Sequence, residues 1–194
     1  CNGYISVNNC CLSLSVILGN DFLPHFPALN IRVNGIENII NSYKFITAGS
    51  AETIISSTNT ICWRILRKLI KDLSERERDN FIENGKVKQK IAQRSYKNNI
   101  SPEDKLLSLP VNSCHTEHYI NPFEVRWETR YYQKLFDLEI DDVRLTQICT
   151  NYLEGLEWTF KYYIGNCDDW KWKYNYNYPP LLTDLIKHMP YFDT

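Results

Sequence analysis

Seven consecutive residues, Gly19-Asn20-Asp21-Phe22-Leu23-Pro24-His25, are the sharpest candidate for chemistry in this chain. They follow an apolar run over 11–18 (CLSLSVIL) that reads as a short buried strand. Gly19-Asn20-Asp21 breaks the pattern. The break leaves the Asp21 carboxylate at the strand's carboxyl end, the edge where open α/β sheets build their sites. A carboxylate there suits Mg²⁺ or Mn²⁺, which take hard oxygen ligands. The plainer alternative is a strand-ending turn in which Asp21 caps the next segment.

A second candidate is Trp170-Lys171-Trp172-Lys173-Tyr174-Asn175-Tyr176-Asn177-Tyr178, where aromatic and polar residues alternate. Ten of the chain's 26 aromatics lie within 152–178, so the segment belongs to an aromatic-rich region. Two readings stay open. The stripe is an amphipathic strand whose rings pack on the core, or it is a platform on which unpaired bases stack, each worth roughly 1–3 kcal/mol. In the second case Lys171 and Lys173 are placed to meet phosphates.

Other groupings are weaker. Cys114-His115-Thr116-Glu117-His118 has the residue types of a metal site, but it is not HExxH and has no partner CxxC. Glu154 and Glu157 lie one helical turn apart, and Glu157 can pair with Lys161 at i,i+4, which favours a structural role. P-loop, GxSxG and GxGxxG patterns are absent from the sequence.

The elements that must position these residues read mostly as helices. Ile36, Ile39, Ile40 and Tyr43 recur at helical spacing between Gly35 and about Ala48. A Ser/Thr-rich connection covers 49–60. A long helix is expected from Ile61 to Glu83, with Ile65, Leu66, Leu69, Ile70 and Leu73 on one stripe. Residues 98–122, with Pro102, Pro110 and Pro122, read as an irregular linker. Two helices follow at 123–136 and 143–164. On the second, Leu145, Ile148, Cys149, Tyr152, Leu156, Phe160 and Tyr163 share a face, and Asp141 and Asp142 stand where carboxylates cap helix amides. A short last helix is expected over 181–189.

Charge is polarised along the chain although the net charge is −1. Residues 64–97 carry eleven Lys/Arg against five acids, and 115–157 carry nine acids against four bases. The basic segment reads as a solvated helical hairpin or as a surface facing polyphosphate. Glu75, Glu77 and Asp79, interspersed in it, weaken the second reading. With 43% hydrophobic and 23% charged residues, the 194-residue chain is neither disordered nor low-complexity. Seven cysteines without regular spacing argue for reduced thiols in an intracellular protein rather than a stapled secreted one. Apolar runs are too short to span a bilayer, so no membrane partner is expected. The chain opens on Cys1 rather than Met, and a piece of a longer protein is the expected origin.

Three segments carry a resemblance to a known family. ILGNDFLPHFPALNIRVNGIENII (17–40), WETRYYQKLF (127–136) and YLEGLEWTFKYYIGNCDDWKWKYNYNYPPLLTDL (152–185) resemble, in that order, segments of the Xrn family of 5′→3′ exoribonucleases. The composition, rich in Asn, Ile, Lys and Tyr, suggests AT-rich codons and a large-DNA-virus version of the family. The resemblance implies a helical domain carrying the tail end of an α/β nuclease core at its N-terminus. The implied division is 1–48 as the end of that core, 49–121 as a variable region and 122–194 as the helical region with the aromatic segment.

In the family, the aspartate of GNDF belongs to a ring of carboxylates that holds two divalent metals, which maps to Asp21. The implied cofactor is Mg²⁺ or Mn²⁺, acting as the 5′ nucleotide is removed. Trp170 and Trp172 match the stacking position, with no choice between them. Asn20, His25, Tyr176 and Asn177 are carried with them as substrate-binding positions. The implied partners are single-stranded RNA and an upstream part of the same nuclease domain, in the cytoplasm or nucleus.

Two departures stand out. The family usually has His where this chain has Asn177, and its remaining metal carboxylates and 5′-phosphate-reading bases lie upstream of GNDF. One carboxylate cannot hold two cations, so the 194 residues are expected to be inactive alone. Two other functions compete: a non-catalytic single-stranded RNA-binding or decoy module, and a helical domain for protein contacts whose RNA affinity is negligible at physiological salt.

Overall fold

The computed structural model describes residues 14–31, 33–50, 52–56, 58–94, 101–103, 115–167 and 169–189. Among them the chain is mostly α. The helices are α1 (Gly35–Thr47), α2 (Trp63–Glu75), α3 (Glu77–Arg94), α4 (His115–Ile120), α5 (Trp127–Phe136), α6 (Asp142–Tyr163) and α7 (Leu182–His188). The only β pairing among the described residues is one isolated antiparallel bridge, Ile55 to Ile61. It closes the Ser/Thr-rich connection and lets Ile54 and Ile55 plug the core.

Helix α2 shows why the sequence folds this way. Its stripe of Ile65, Leu66, Leu69, Ile70 and Leu73 is buried, and it packs against α1 on one side and α7 on the other. Ile148, Cys149, Tyr152, Leu156 and Phe160 of α6 are buried as the spacing predicts, and Tyr163, at the helix end, is exposed. Asp141 caps α6: its Oδ1 accepts the Arg144 amide at 2.7 Å. The α2 stripe, Cys149, Tyr152, Leu156 and Phe160 of α6, and Val16, Ile17, Leu23, Phe26 and Leu29 form one core. A smaller core joins Phe81 of α3, Ile120 of α4, Trp127, Tyr131 and Tyr132 of α5, and Leu181.

Four local expectations are corrected. Residues 14–17 form a helical turn, not the end of a strand, while 11–13 lie outside the described residues. Val16 and Ile17 are buried as expected, but a short apolar run does not reveal which backbone buries it. The expected helix from Ile61 to Glu83 is two helices broken at Arg76, next to a Glu77 that is turned into the core. The linker expected over 98–122 contains α4. Finally, 170–178 makes turns and bends rather than a strand.

The segment WETRYYQKLF owes its pattern to packing. Arg130 donates to the carbonyls of Ile120, Asn121 and Val125, clasping the α4–α5 connection. Tyr131 donates to the Pro179 carbonyl at 2.9 Å and Tyr132 to Asp184 at 2.8 Å, tying α5 to the chain that enters α7. Glu77 reaches the same place. Its carboxylate accepts the Leu182 and Thr183 amides at 2.6 and 3.0 Å, where α7 leaves its first amides unpaired.

Candidate functional site

The loop from Gly19 to His25 is held by its own polar groups. Gly19 has φ +91°, and a Cβ on it would stand 2.6 Å from the Cβ of His25, so the loop closes on a residue without a side chain. The Asn20 amide donates to the Leu23 carbonyl at 3.0 Å. Its Oδ1 accepts the Phe22 and Leu23 amides at 2.8 and 3.0 Å. This is an Asx turn, and it explains the Gly-Asn pair without reference to any ligand. Leu23 is buried in the core, and the Pro24 carbonyl accepts the Tyr152 hydroxyl. Asp21 is left exposed at the tip.

Beside Asp21, Phe22 enters an aromatic ladder on α6. Its ring meets Trp158 edge-on at 5.0 Å and Tyr162 at 4.8 Å. Trp158 stacks on Tyr162 at 5.5 Å and on Trp172 at 5.2 Å. Tyr162 carries Trp170 edge-on at 5.7 Å. The loop of Asp21 and the Trp170–Trp172 segment therefore meet on one face of α6. Trp158 and Tyr162 are the residues that sequence reasoning missed. Gly155, Trp158 and Tyr162 recur at helical spacing, on a face flanking the one chosen as core.

The two tryptophans differ. Trp172 is half-buried, and a Cβ on Gly155 would stand 2.6 Å from its ring edge, so α6 needs a glycine to let that ring in. Trp170 is 73% exposed. Tyr176 packs half-buried between Phe136 and Tyr174 at 5.8 and 5.5 Å.

His25 and Asn177 come together elsewhere. Both line a cleft of about 580 Å³ formed by the Pro24–Val33 loop, α3, α4, α5 and residues 177–179. Partial burial, and secondarily the Lys88 ammonium, hold the His25 imidazole below its usual range, which keeps it neutral at neutral pH. Lys88 itself pairs with Glu117 of α4.

The donors among the described residues do not make a metal site. Among the described residues no group of three or more His, Cys, Asp or Glu converges, and Asp21 is a single carboxylate. Cys114 of the Cys-His-Thr-Glu-His group lies outside the described residues, and His118 is within hydrogen-bond reach of Gln89. The basic α2–α3 region is partly committed to structure. Arg64 pairs with Glu52 and Arg76 with Asp72, while Arg78 donates to the Pro122 carbonyl. Glu157 pairs with Lys161 at 2.8 Å, as its spacing suggests. Among the described residues no helix is long and apolar enough to cross a membrane.

Comparison with known proteins extends beyond the motifs. 5′-3′ exoribonuclease 2 of Gallus gallus is 24% identical across 89% of this chain and 25% of its own length. The homologue in Drosophila melanogaster is 24% identical across 87% of this chain and 23% of its own length. 5′-3′ exoribonuclease 1 of Saccharomyces cerevisiae is 31% identical across 48% of this chain. The chain thus spans about a quarter of the length of the first two, and none of the three is viral. A family model described as the Xrn1 helical domain matches residues 12–122 and 116–191, which takes in the stretch 49–121 that the motifs left unmatched. With its helical architecture and these matches running along almost its whole length, the chain belongs to the Xrn family through its Xrn1 helical domain.

Proposed function

We propose that this chain is the helical part of a 5′→3′ exoribonuclease and presents the α6 aromatic face to single-stranded RNA. The observation that carries this is that Phe22, the neighbour of Asp21, and Trp170, from opposite ends of the chain, both pack against Tyr162 of α6. Trp170 offers an exposed ring to a base, while Trp172, stacked on Trp158, holds the platform in place. The substrate is 5′-monophosphorylated single-stranded RNA and the product a mononucleotide, in the cytoplasm or nucleus.

Asp21 lends one carboxylate to a Mg²⁺ or Mn²⁺ site whose other ligands lie outside the described residues. On that assignment the 194 residues bind RNA and do not cut it. In a parent chain that degrades RNA, Asp21→Ala abolishes mononucleotide release and leaves RNA binding unchanged. Release at the wild-type rate in that variant would sink the metal role.

A second reading is a non-catalytic single-stranded RNA-binding or decoy module. That no three His, Cys, Asp or Glu side chains converge among the described residues favours it. It requires that the protein carrying this chain bind RNA through Trp170 and never release nucleotides, with or without added Mg²⁺.

A further inference from the structure

The cleft beside His25 has two features that packing does not explain. Asn84 of α3 is 8% exposed and its Nδ2 donates to the Pro27 carbonyl at 2.9 Å. That bond fixes which end of the amide is oxygen, and the oxygen is buried with no donor among the described residues. Buried acceptors are normally paired, and one left open is costly. The next residue, Gly85, lies well inside an 18-residue helix, where glycine is unfavourable. No close approach requires it: a Cβ there would meet nothing within 4 Å. What Gly85 preserves is the open space of the cleft that it lines.

We propose that this cleft, walled by Phe81, Asn84, Gly85 and Tyr178, holds one nucleobase bearing an exocyclic amino group, from an RNA strand or from a free nucleotide. Its volume of about 580 Å³ is in the range of small-ligand sites. Tyr178, 41% exposed, offers aromatic surface to a planar ring. Asn84 Oδ1 and the neighbouring Pro27 carbonyl, two acceptors, match the two hydrogens of an amino group on adenine, cytosine or guanine. Uracil instead offers one ring N–H between two carbonyl oxygens, one of which would face the Pro27 carbonyl. His25, neutral and at the rim, adds an uncharged polar edge. His25 is four residues along the chain from Asp21, at most about 14 Å, so one strand can reach both places.

This inference rests on the proposed RNA-binding role, and the test separates the two. Binding of 5′-monophosphorylated oligo(A), oligo(C) and oligo(U) is measured on the whole chain, alongside AMP and UMP, for wild type, Gly85→Leu and Trp170→Ala. Gly85→Leu adds its side chain where a Cβ meets nothing within 4 Å and suits a helix better than glycine, and a wild-type melting temperature verifies that the variant folds. The expected result is a preference for oligo(A) and oligo(C) over oligo(U). Gly85→Leu removes it by weakening the amino-bearing oligomers about tenfold. Trp170→Ala weakens all three oligomers alike.

AMP binding that is lost in Gly85→Leu, without oligomer binding, makes the cleft a mononucleotide site and sinks only the RNA role. RNA binding with no base preference, or a preference unchanged in Gly85→Leu, overturns the cleft proposal and leaves the RNA role standing. No binding of any oligomer or nucleotide overturns both.

Discussion

Trp170 and Trp172 are two residues apart and their side chains do different work. Trp172 is stacked on Trp158 and seated on Gly155, whereas Trp170 touches Tyr162 with one edge and is otherwise in water. Alternation made this region legible but not its choice of tryptophan. Burial does alternate, with Trp172, Tyr174 and Tyr176 partly covered and Lys171, Lys173 and Asn175 exposed. Trp170 shares the parity of Trp172 yet points out, because the chain turns at 170–171. Period two identifies neighbours on one side only while the backbone stays extended. Asn20 carries a similar lesson: a residue placed in the site by resemblance spends its Oδ1 on building the turn. Trp172→Ala is expected to cost roughly 2–3 kcal/mol of unfolding free energy, below the value for a fully buried Trp because the ring is half-covered. Urea denaturation measures it, and a loss under about 0.5 kcal/mol, the range of surface changes, would mean the ring is not part of the core.

Helices were the most readable elements, since apolar residues on α1, α2 and α6 recur at helical spacing over two or more turns. The break at Arg76 was not readable, because its cause is a distant contact. Glu77, inside a run of charges that looks solvated, turns inward and caps α7. Such a contact has no local signal.

It does have a pH signature. Burial is the largest influence on the Glu77 carboxyl and raises it to about 7 from an ordinary 4.5, against the pull of the two amides it accepts. The folded chain therefore holds a proton that the unfolded chain has lost between these values. The stability tied to that proton is complete below about pH 4.5 and is lost as pH rises through about 7, up to about 3 kcal/mol in all. Denaturation midpoints at pH 5, 6, 7 and 8 should fall across that window, and Glu77→Gln should flatten the fall. A midpoint that rises with pH in the wild type would show that the amides outweigh burial.

For the whole molecule, fold and family were legible, and the assembly of the site was not. GNDFLPH, the RYY segment and the double tryptophan could be placed in order along the chain, but order does not say which of them touch. The fold brings the first and third together on α6 and leaves the second to brace α5 against the approach to α7. It also splits the expected substrate residues between two places: Trp170 and Trp172 on the aromatic face, and His25 and Asn177 in the cleft. The strand expected at the start rested on one apolar run, of which residues 14–17 form a helical turn; the tail of an α/β core was implied by the resemblance.

The most direct test of an RNA-receiving α6 face is fluorescence anisotropy of a labelled 5′-monophosphorylated single-stranded RNA, titrated with wild-type chain and with Trp170→Ala. An exposed stacking residue predicts about five- to tenfold weaker binding in the variant with the melting temperature unchanged. Equal affinity for the two proteins would contradict it.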